Sequence, residues 1–192
     1  DMGGAPPVYN VPWALYDVRK TPQKGLVLYW FVTGKAEFDK SPMRNSRILT
    51  LYSSQCVAMT VADAKQPELQ SVIGDSQLPV AVLASADGKP IKKVESTNGK
   101  LKIADVEKAV GAEVKTRGTN LDKSLADAKA KADGGDKAGA IELYKTVAAE
   151  KCMFPKKAKS ATAELKKLGE TNIGMIFDAP NFDPALTTAI VK

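Results

Sequence analysis

Hydrophobic positions in this chain follow two patterns. Up to about residue 94 they come mostly in short uninterrupted runs, and from residue 103 to residue 168 they recur every three or four positions. The runs predict strands. GLVLYWFV, residues 25–32, is continuous, aromatic and β-branched, the composition of a central strand buried on both faces. Side-chain alternation puts Tyr29 and Phe31 on one face of it and Leu28 and Trp30 on the other. CVAMTVAD, residues 56–63, predicts a second buried strand. An apolar run over residues 80–84, an Asp87-Gly88 turn and a return over residues 90–94 predict a hairpin.

Between the strands the pattern predicts helices. Trp13, Leu15, Tyr16 and Val18 predict a short first helix over residues 13–19, broken at residues 21–24. Residues 33–40 are polar and contain a glycine, which predicts a loop. Ser41-Pro42 offers an N-cap followed by proline at the first helical position. The helix it opens runs to about Tyr52 and buries Met43, Ile48, Leu49 and either Leu51 or Tyr52. Residues 66–74 predict a short helix burying Leu69, Val72 and Ile73. Ile103, Val106 and Val110 mark an amphipathic helix ending at Gly111. This order predicts an α/β fold: a four-stranded mixed sheet with helices on both faces.

Gly118, Thr119 and Asn120 predict a boundary, after which the chain is rich in Ala and Lys at helical spacing. Leu121, Leu125 and Ala128 line one helical face, and Ile141, Tyr144 and Val147 a second. Pro155 opens a third, with Ala158, Ala161, Leu165 and Leu168. Residues 1–12 hold three prolines and two glycines and predict an extended arm. Residues 171–192 have no period yet carry Ile173, Met175, Ile176, Phe177 and Phe182, too apolar for a disordered tail.

Composition narrows the chemistry. The 192 residues include no histidine and two cysteines, Cys56 and Cys152. The commonest general base and metal ligand is therefore missing. Two distant cysteines make neither a CxxC pair nor a multi-thiolate zinc site. No metal or other cofactor is expected. The net charge of +6 is spread along the chain, which bears on solubility more than on a partner. No apolar run approaches the ~18–20 residues needed to cross a bilayer. The first residues, DMGGAPP, suggest the mature end left by a signal peptidase, which gives an expected location outside the cytoplasm, in a periplasm or cell envelope.

WALYDVRKTPQKGLVLYWF and QLPVAVLASADGKPI, with the element order around them, resemble the thioredoxin family over residues 13–113. The resemblance implies a thioredoxin-like sheet and a cis Leu78-Pro79 bond beside the family's redox position. In that family a cysteine pair sits where the helix after the first central strand begins, and the helix start favours the thiolate. Here that position is TGKAEFDKSP, residues 33–42, which contains no cysteine. The fold is expected without the oxidoreductase chemistry. AGAIELYKTV, residues 138–147, resembles the second helix of a tetratricopeptide repeat, though only about one and a half repeats fit where stable arrays need about three. The expected organisation is an arm (1–12), a thioredoxin-like domain (13–117), a tetratricopeptide-like α-helical hairpin (118–170) and an extended C-terminal segment (171–192).

The candidate sites follow. Gln77, Leu78 and Pro79 could present backbone to an extended peptide, as in thioredoxins. Ile173, Met175, Ile176, Phe177 and Phe182 form a candidate recognition patch, stiffened by Pro180 and Pro184. Cys56 reads as a small buried hydrophobe inside a strand and Cys152 as an inert thiol among lysines, with a bridge between them the less favoured reading. Lys151, Lys156, Lys157, Lys159, Lys166 and Lys167 read as a solvated helix face, since no aromatics interleave for nucleic-acid stacking. Glu37 and Asp39 read as loop solvation. The expected function is that of a non-catalytic adaptor or structural subunit in an exported or membrane-associated assembly. Its partner is a protein or larger complex bound through the C-terminal third. It is not expected to span a membrane or to bind nucleic acid. The alternative is a thiol-dependent enzyme, such as a thiol-disulfide oxidoreductase, using Cys152 or Cys56 singly.

Overall fold

The central strand β2, Leu26–Phe31, is buried at every position, as its unbroken apolar sequence requires. The computed structural model describes residues 5–170. In it β2 pairs in parallel with β3 (Val57–Ala62), Leu26 opposite Val57. On its other side it pairs antiparallel with β4 (Val80–Ser85), Phe31 opposite Val80. β5 (Pro90–Glu95) returns antiparallel on β4 as a largely exposed edge strand. The Ser85 carbonyl accepts from the Gly88 N–H at 2.9 Å, and Gly88 takes φ 83°, the left-handed conformation that glycine supplies at least cost. The predicted hairpin is thus present.

A fifth strand was missed. Where a helix was expected over residues 13–19, Ala14–Leu15 forms β1, parallel to β3 at the sheet edge. A 3-10 turn, Val18–Lys20, follows it, capped by the Asp17 side chain, which accepts from the Arg19 N–H. Two long-range bonds hold this segment extended: Trp13 Nε1–H donates to the Met43 carbonyl and the Tyr16 N–H to the Val61 carbonyl, both at 2.8 Å. The sheet order is β1-β3-β2-β4-β5. Three parallel strands, an antiparallel pair and a cis Leu78-Pro79 bond just before β4 make a thioredoxin-like fold.

Alternation along β2 sorts the core as expected. Val27, Tyr29 and Phe31 join Leu69, Val72, Ile73 and alternate residues of β4 in one buried cluster. Trp30 points the other way, its ring 5.1 Å from Trp13 and 5.3 Å from Phe38. The helices differ in detail. Residues 35–40, expected as loop, form α1 (Lys35–Lys40). The single helix expected from Ser41 to Tyr52 is a 3-10 turn, Pro42–Arg44, followed by α2 (Arg47–Ser53), with Ser41 and Ser46 as separate side-chain caps. Met43 and Leu49 are buried as expected, whereas Ile48 and Leu51 are exposed. The next helix is a 3-10 turn, Pro67–Leu69, running into α3 (Gln70–Ile73), and it buries the three expected side chains.

The chain falls into two compact units, Asp1–Ala112 and Glu113–Lys192. The expected helix end at Gly111 and the break at Gly118 to Asn120 are both corrected: α4 runs unbroken from Ile103 to Asp133. An interior glycine costs a helix only about 1 kcal/mol, too little to end one that is packed. A Cβ at Gly118 would lie 3.2 Å from a ring carbon of Phe154, so the small residue allows close packing there.

In the second unit, α5 (Lys137–Ala148) is capped by Asp136, which accepts from the Gly139 N–H at 2.9 Å. α6 (Pro155–Lys167) opens on its proline, as predicted. In place of a two-helix hairpin, three helical segments share one core of Leu121, Ala128, Ala140, Tyr144, Val147, Ala148, Ala161 and Leu165. No described helix is long and apolar enough to cross a membrane.

Candidate functional site

The fold places the chain leaving β2 beside the chain that starts β4, because Phe31 and Val80 are register partners. This is the corner at which the resemblance to thioredoxins expects the family's redox position. Pro79 is buried, Leu78 is half-buried against the cluster that contains Phe31 and Val80, and Gln77 is exposed. Of the three candidate peptide-binding residues, Gln77 is thus the most open. Lys93 of β5 donates its Nζ to the Ile73 carbonyl at 2.9 Å, tying the last turn of α3 to the sheet edge.

Opposite this segment α1 begins, and its opening turn is satisfied from within. Glu37 Oε2 accepts from the Thr33 N–H at 2.9 Å, and Glu37 Oε1 accepts from Trp30 Nε1–H at 3.2 Å. A carboxylate in the first helical turn complements the positive end of the helix. Glu37 is therefore a structural residue and not loop solvation, which corrects the sequence reading. Asp39 pairs with Lys35 one turn back. The hydrogen bond and charge of Lys35 hold its carboxyl below the usual carboxylate range. The guanidinium of Arg44 lies 5.0 Å from the centre of the Phe38 ring, within reach of a cation–π contact. The arm closes the corner: the Val11 N–H donates to the Arg44 carbonyl at 2.9 Å, and Asn45 Nδ2–H donates to the Tyr9 carbonyl at 2.8 Å.

The result is an aromatic, internally bonded corner that contains no cysteine. The group at the start of α1 is the Glu37 carboxylate. The cysteines lie elsewhere. Cys56 is the residue just before β3, half-buried with φ 57°. Cys152 lies in the turns between α5 and α6. Both are disulfide-bonded and neither is a free thiol, which corrects the reading of Cys56 as a strand-interior hydrophobe and of Cys152 as an inert thiol. Among the described residues no group of three or more His, Cys, Asp or Glu side chains could hold a metal ion.

Along the lysine-rich stretch two lysines have partners, Lys157 with Asp122 and Lys167 with Glu164. Ile173, Met175, Ile176, Phe177 and Phe182 lie outside the described residues. One feature that sequence reasoning missed is a pair of tyrosines, Tyr16 and Tyr29, with ring centres 6.4 Å apart beneath clefts on the α3 side of the sheet. Local pattern does not reveal it, since that pattern puts Tyr16 in a helix and Tyr29 in a core.

No protein-family model matches the chain, and no curated protein does. Among solved structures it is similar to a mutant thioredoxin from Halobacterium salinarum NRC-1, at 18% sequence identity and a TM-score of 0.37, over 57% of this chain and 95% of that one.

Proposed function

We propose that this chain is a non-catalytic thioredoxin-like protein, acting as an adaptor or structural subunit by binding other proteins. The observation that carries the reading is the corner after β2. Residues 33–42, where the resemblance expects the family's cysteine pair, contain no cysteine, and the Glu37 carboxylate takes up the local donors. A thioredoxin-like frame that keeps its cis proline but lacks the cysteine pair retains surfaces for binding and loses the electron shuttle. The helical unit supports the same reading. Its three helical segments share one core, half of it alanine, and in this reading they are a scaffold that presents a partner surface. The apolar residues of the tail, Ile173 to Phe182, extend that surface in the proposal. Disulfide-bonded cysteines support an exported location, because such bonds persist in oxidising compartments.

Two measurements test this. Deleting residues 171–192 is expected to abolish co-purification of a partner from native membrane and soluble fractions while leaving the melting temperature of the chain nearly unchanged. A truncated chain that melts many degrees lower would make the tail part of the protein's own core. Insulin reduction with dithiothreitol is expected to stay at background. Turnover above background that Cys152→Ser or Cys56→Ser removes would instead establish the thiol-dependent alternative.

A further inference from the structure

The α3 side of the sheet is only partly covered. The connection from β1 to β2 spends its ten residues on a 3-10 turn and a bend, with no helix long enough to lie across the strands. Two clefts of about 300 and 450 Å³ remain, and both are lined by Tyr16, Thr21, Pro22 and Tyr29. The larger is in the size range of sites for small ligands or single side chains.

Three features give it chemistry. The Tyr29 side chain belongs to a residue only 4% exposed. It lies between Tyr16 and Phe31, and its hydroxyl makes no hydrogen bond among the described residues. The hydroxyl is not a fully buried atom; it opens on the clefts that Tyr29 lines. Glu68, on the wall of the larger cleft, has no ion-pair partner among the described residues. Its charge and the Asp17 charge help to raise the Tyr16 hydroxyl above the usual tyrosine range, after burial itself. Asp87 also lies at the rim, where it pairs with Lys89 at 3.4 Å and accepts from the Ser85 hydroxyl. Against these stands Lys20 on the smaller cleft, and Asp17 is neutralised by Arg19 at 3.1 Å. The larger cleft therefore sets the Glu68 carboxylate beside two tyrosine rings, in a chain whose net charge is +6. Electron-rich rings beside the one carboxylate without an ion-pair partner, Glu68, favour a cation.

The surroundings indicate what carries the cation. Leu15, in the sheet-edge strand β1, is 82% exposed and Val18 is 56% exposed. An isolated ammonium ion would leave both uncovered. An extended peptide passing along the β1 edge would cover them and could use the edge for backbone pairing. We infer that the Tyr16–Tyr29 cleft is a recognition site for a basic side chain, lysine or arginine, on an extended segment of a partner protein. The source of the peptide rests on the adaptor reading, while the chemistry of the site rests on the cleft alone.

The test titrates the full chain, its disulfide intact, with the capped peptide Val-Arg-Val-Ser, its norleucine analogue Val-Nle-Val-Ser, and n-butylguanidinium alone. Binding is read by calorimetry and by ring resonances of labelled tyrosine. The arginine peptide is expected to bind at least about tenfold more tightly than the norleucine peptide, shifting the Tyr16 and Tyr29 rings and weakening with added salt. Glu68→Gln, a change at an exposed position, should weaken it about tenfold. Tyr29→Phe, which removes only the hydroxyl, should weaken it about three- to tenfold. Equal affinity for the two peptides, or no effect of Glu68→Gln, overturns the cation site. Equal affinity for butylguanidinium and the arginine peptide overturns the peptide source. The adaptor reading is scored separately by partner co-purification with residues 171–192 present or deleted, so either idea can fail without the other.

Discussion

The sheet unit and the helical unit solve the same problem with opposite materials. The first is built around large side chains brought together from distant parts of the chain: Trp30, Phe31, Leu26, Leu28 and Leu83 are each at most 1% exposed. The second is held by neighbours in sequence, and half of its core cluster is alanine: Ala128, Ala140, Ala148 and Ala161. Alanine lets helices approach closely and has the best helix propensity. It leaves little side chain to remove. The sheet unit should therefore be most sensitive to lost volume and the helical unit to added volume. Both tryptophans, Trp13 and Trp30, lie in the sheet unit. Their fluorescence reports on that unit, while far-ultraviolet circular dichroism is weighted toward the helices.

The largest effect is expected from Leu28→Ala. Leu28 is 1% exposed and pairs across the sheet with Met59 and Leu83. A buried leucine truncated to alanine costs about 2–5 kcal/mol, read as a shift of the tryptophan transition in a denaturant melt. A shift worth under about 1 kcal/mol would mean the site collapses freely and β2 is not the organising strand. Next is Ala161→Leu, in the opposite direction of size. Alanine and leucine differ little in helix propensity, so the expected loss of about 1–3 kcal/mol comes from overpacking. Ala126→Leu, on an exposed face of α4, should stay within about 0.5 kcal/mol. If the two substitutions behave alike, the helical core is loose and the contrast between the units fails.

How legible each unit was follows from the same contrast. β2 was readable because every residue in it is apolar, and β3, β4 and the Asp87-Gly88 turn because runs and turn residues alternate cleanly. The faces of α5 and α6 were readable from their spacing. What was lost lacked a local signal. β1 is two residues long, fixed by bonds to Met43 and Val61 that no period reveals. α1 is polar and rests on Glu37 and on Phe38 against Trp30. α4 passes through Gly111 and Gly118 because small residues are needed there: a Cβ would lie 2.9 Å from the Tyr52 hydroxyl at one and 3.2 Å from Phe154 at the other. The Leu78-Pro79 corner was legible because proline before a buried strand is unusual. The tyrosine cleft was not, because it results from a helix that is absent between β1 and β2.

A smaller effect tests how the sheet unit joins its helices. Ser46 is buried, accepts from the Leu49 N–H at 3.0 Å and donates to Glu107 Oε1 at 2.7 Å. Ser46→Ala removes the cap of α2 and the partner of a half-buried carboxylate together, at an expected cost of about 0.5–2 kcal/mol. Ser46→Thr keeps the hydroxyl and should recover most of that loss in the same melt. A threonine variant as unstable as the alanine one would assign the effect to packing and not to the hydrogen bonds.

The smallest effect is a pH dependence confined to the helical unit. Asp136 accepts from Lys131 Nζ at 2.9 Å and caps α5 through Gly139. The Lys131 hydrogen bond, the Gly139 N–H and the Lys131 charge hold its carboxyl below the usual range. The same partner raises Lys131 above its own. A depressed carboxyl contributes stability above its unfolded pKa, about 3.9, and loses it as pH falls through the lower folded value. A raised lysine contributes below about 10.5 and loses it as pH climbs through the higher folded value. Asp136→Asn keeps a cap acceptor and removes the charge. The native chain should therefore be slightly more stable than the variant on a plateau between those limits, with the difference shrinking at both ends. The group is exposed, so added salt should reduce the plateau as well. The measurement is the helical transition of both proteins from acid to alkaline pH. A difference that persists unchanged well below the carboxyl range would mean that asparagine altered the cap geometry and that the charge contributes nothing. A change that also moved the tryptophan transition would show that this pair is not a property of the helical unit alone.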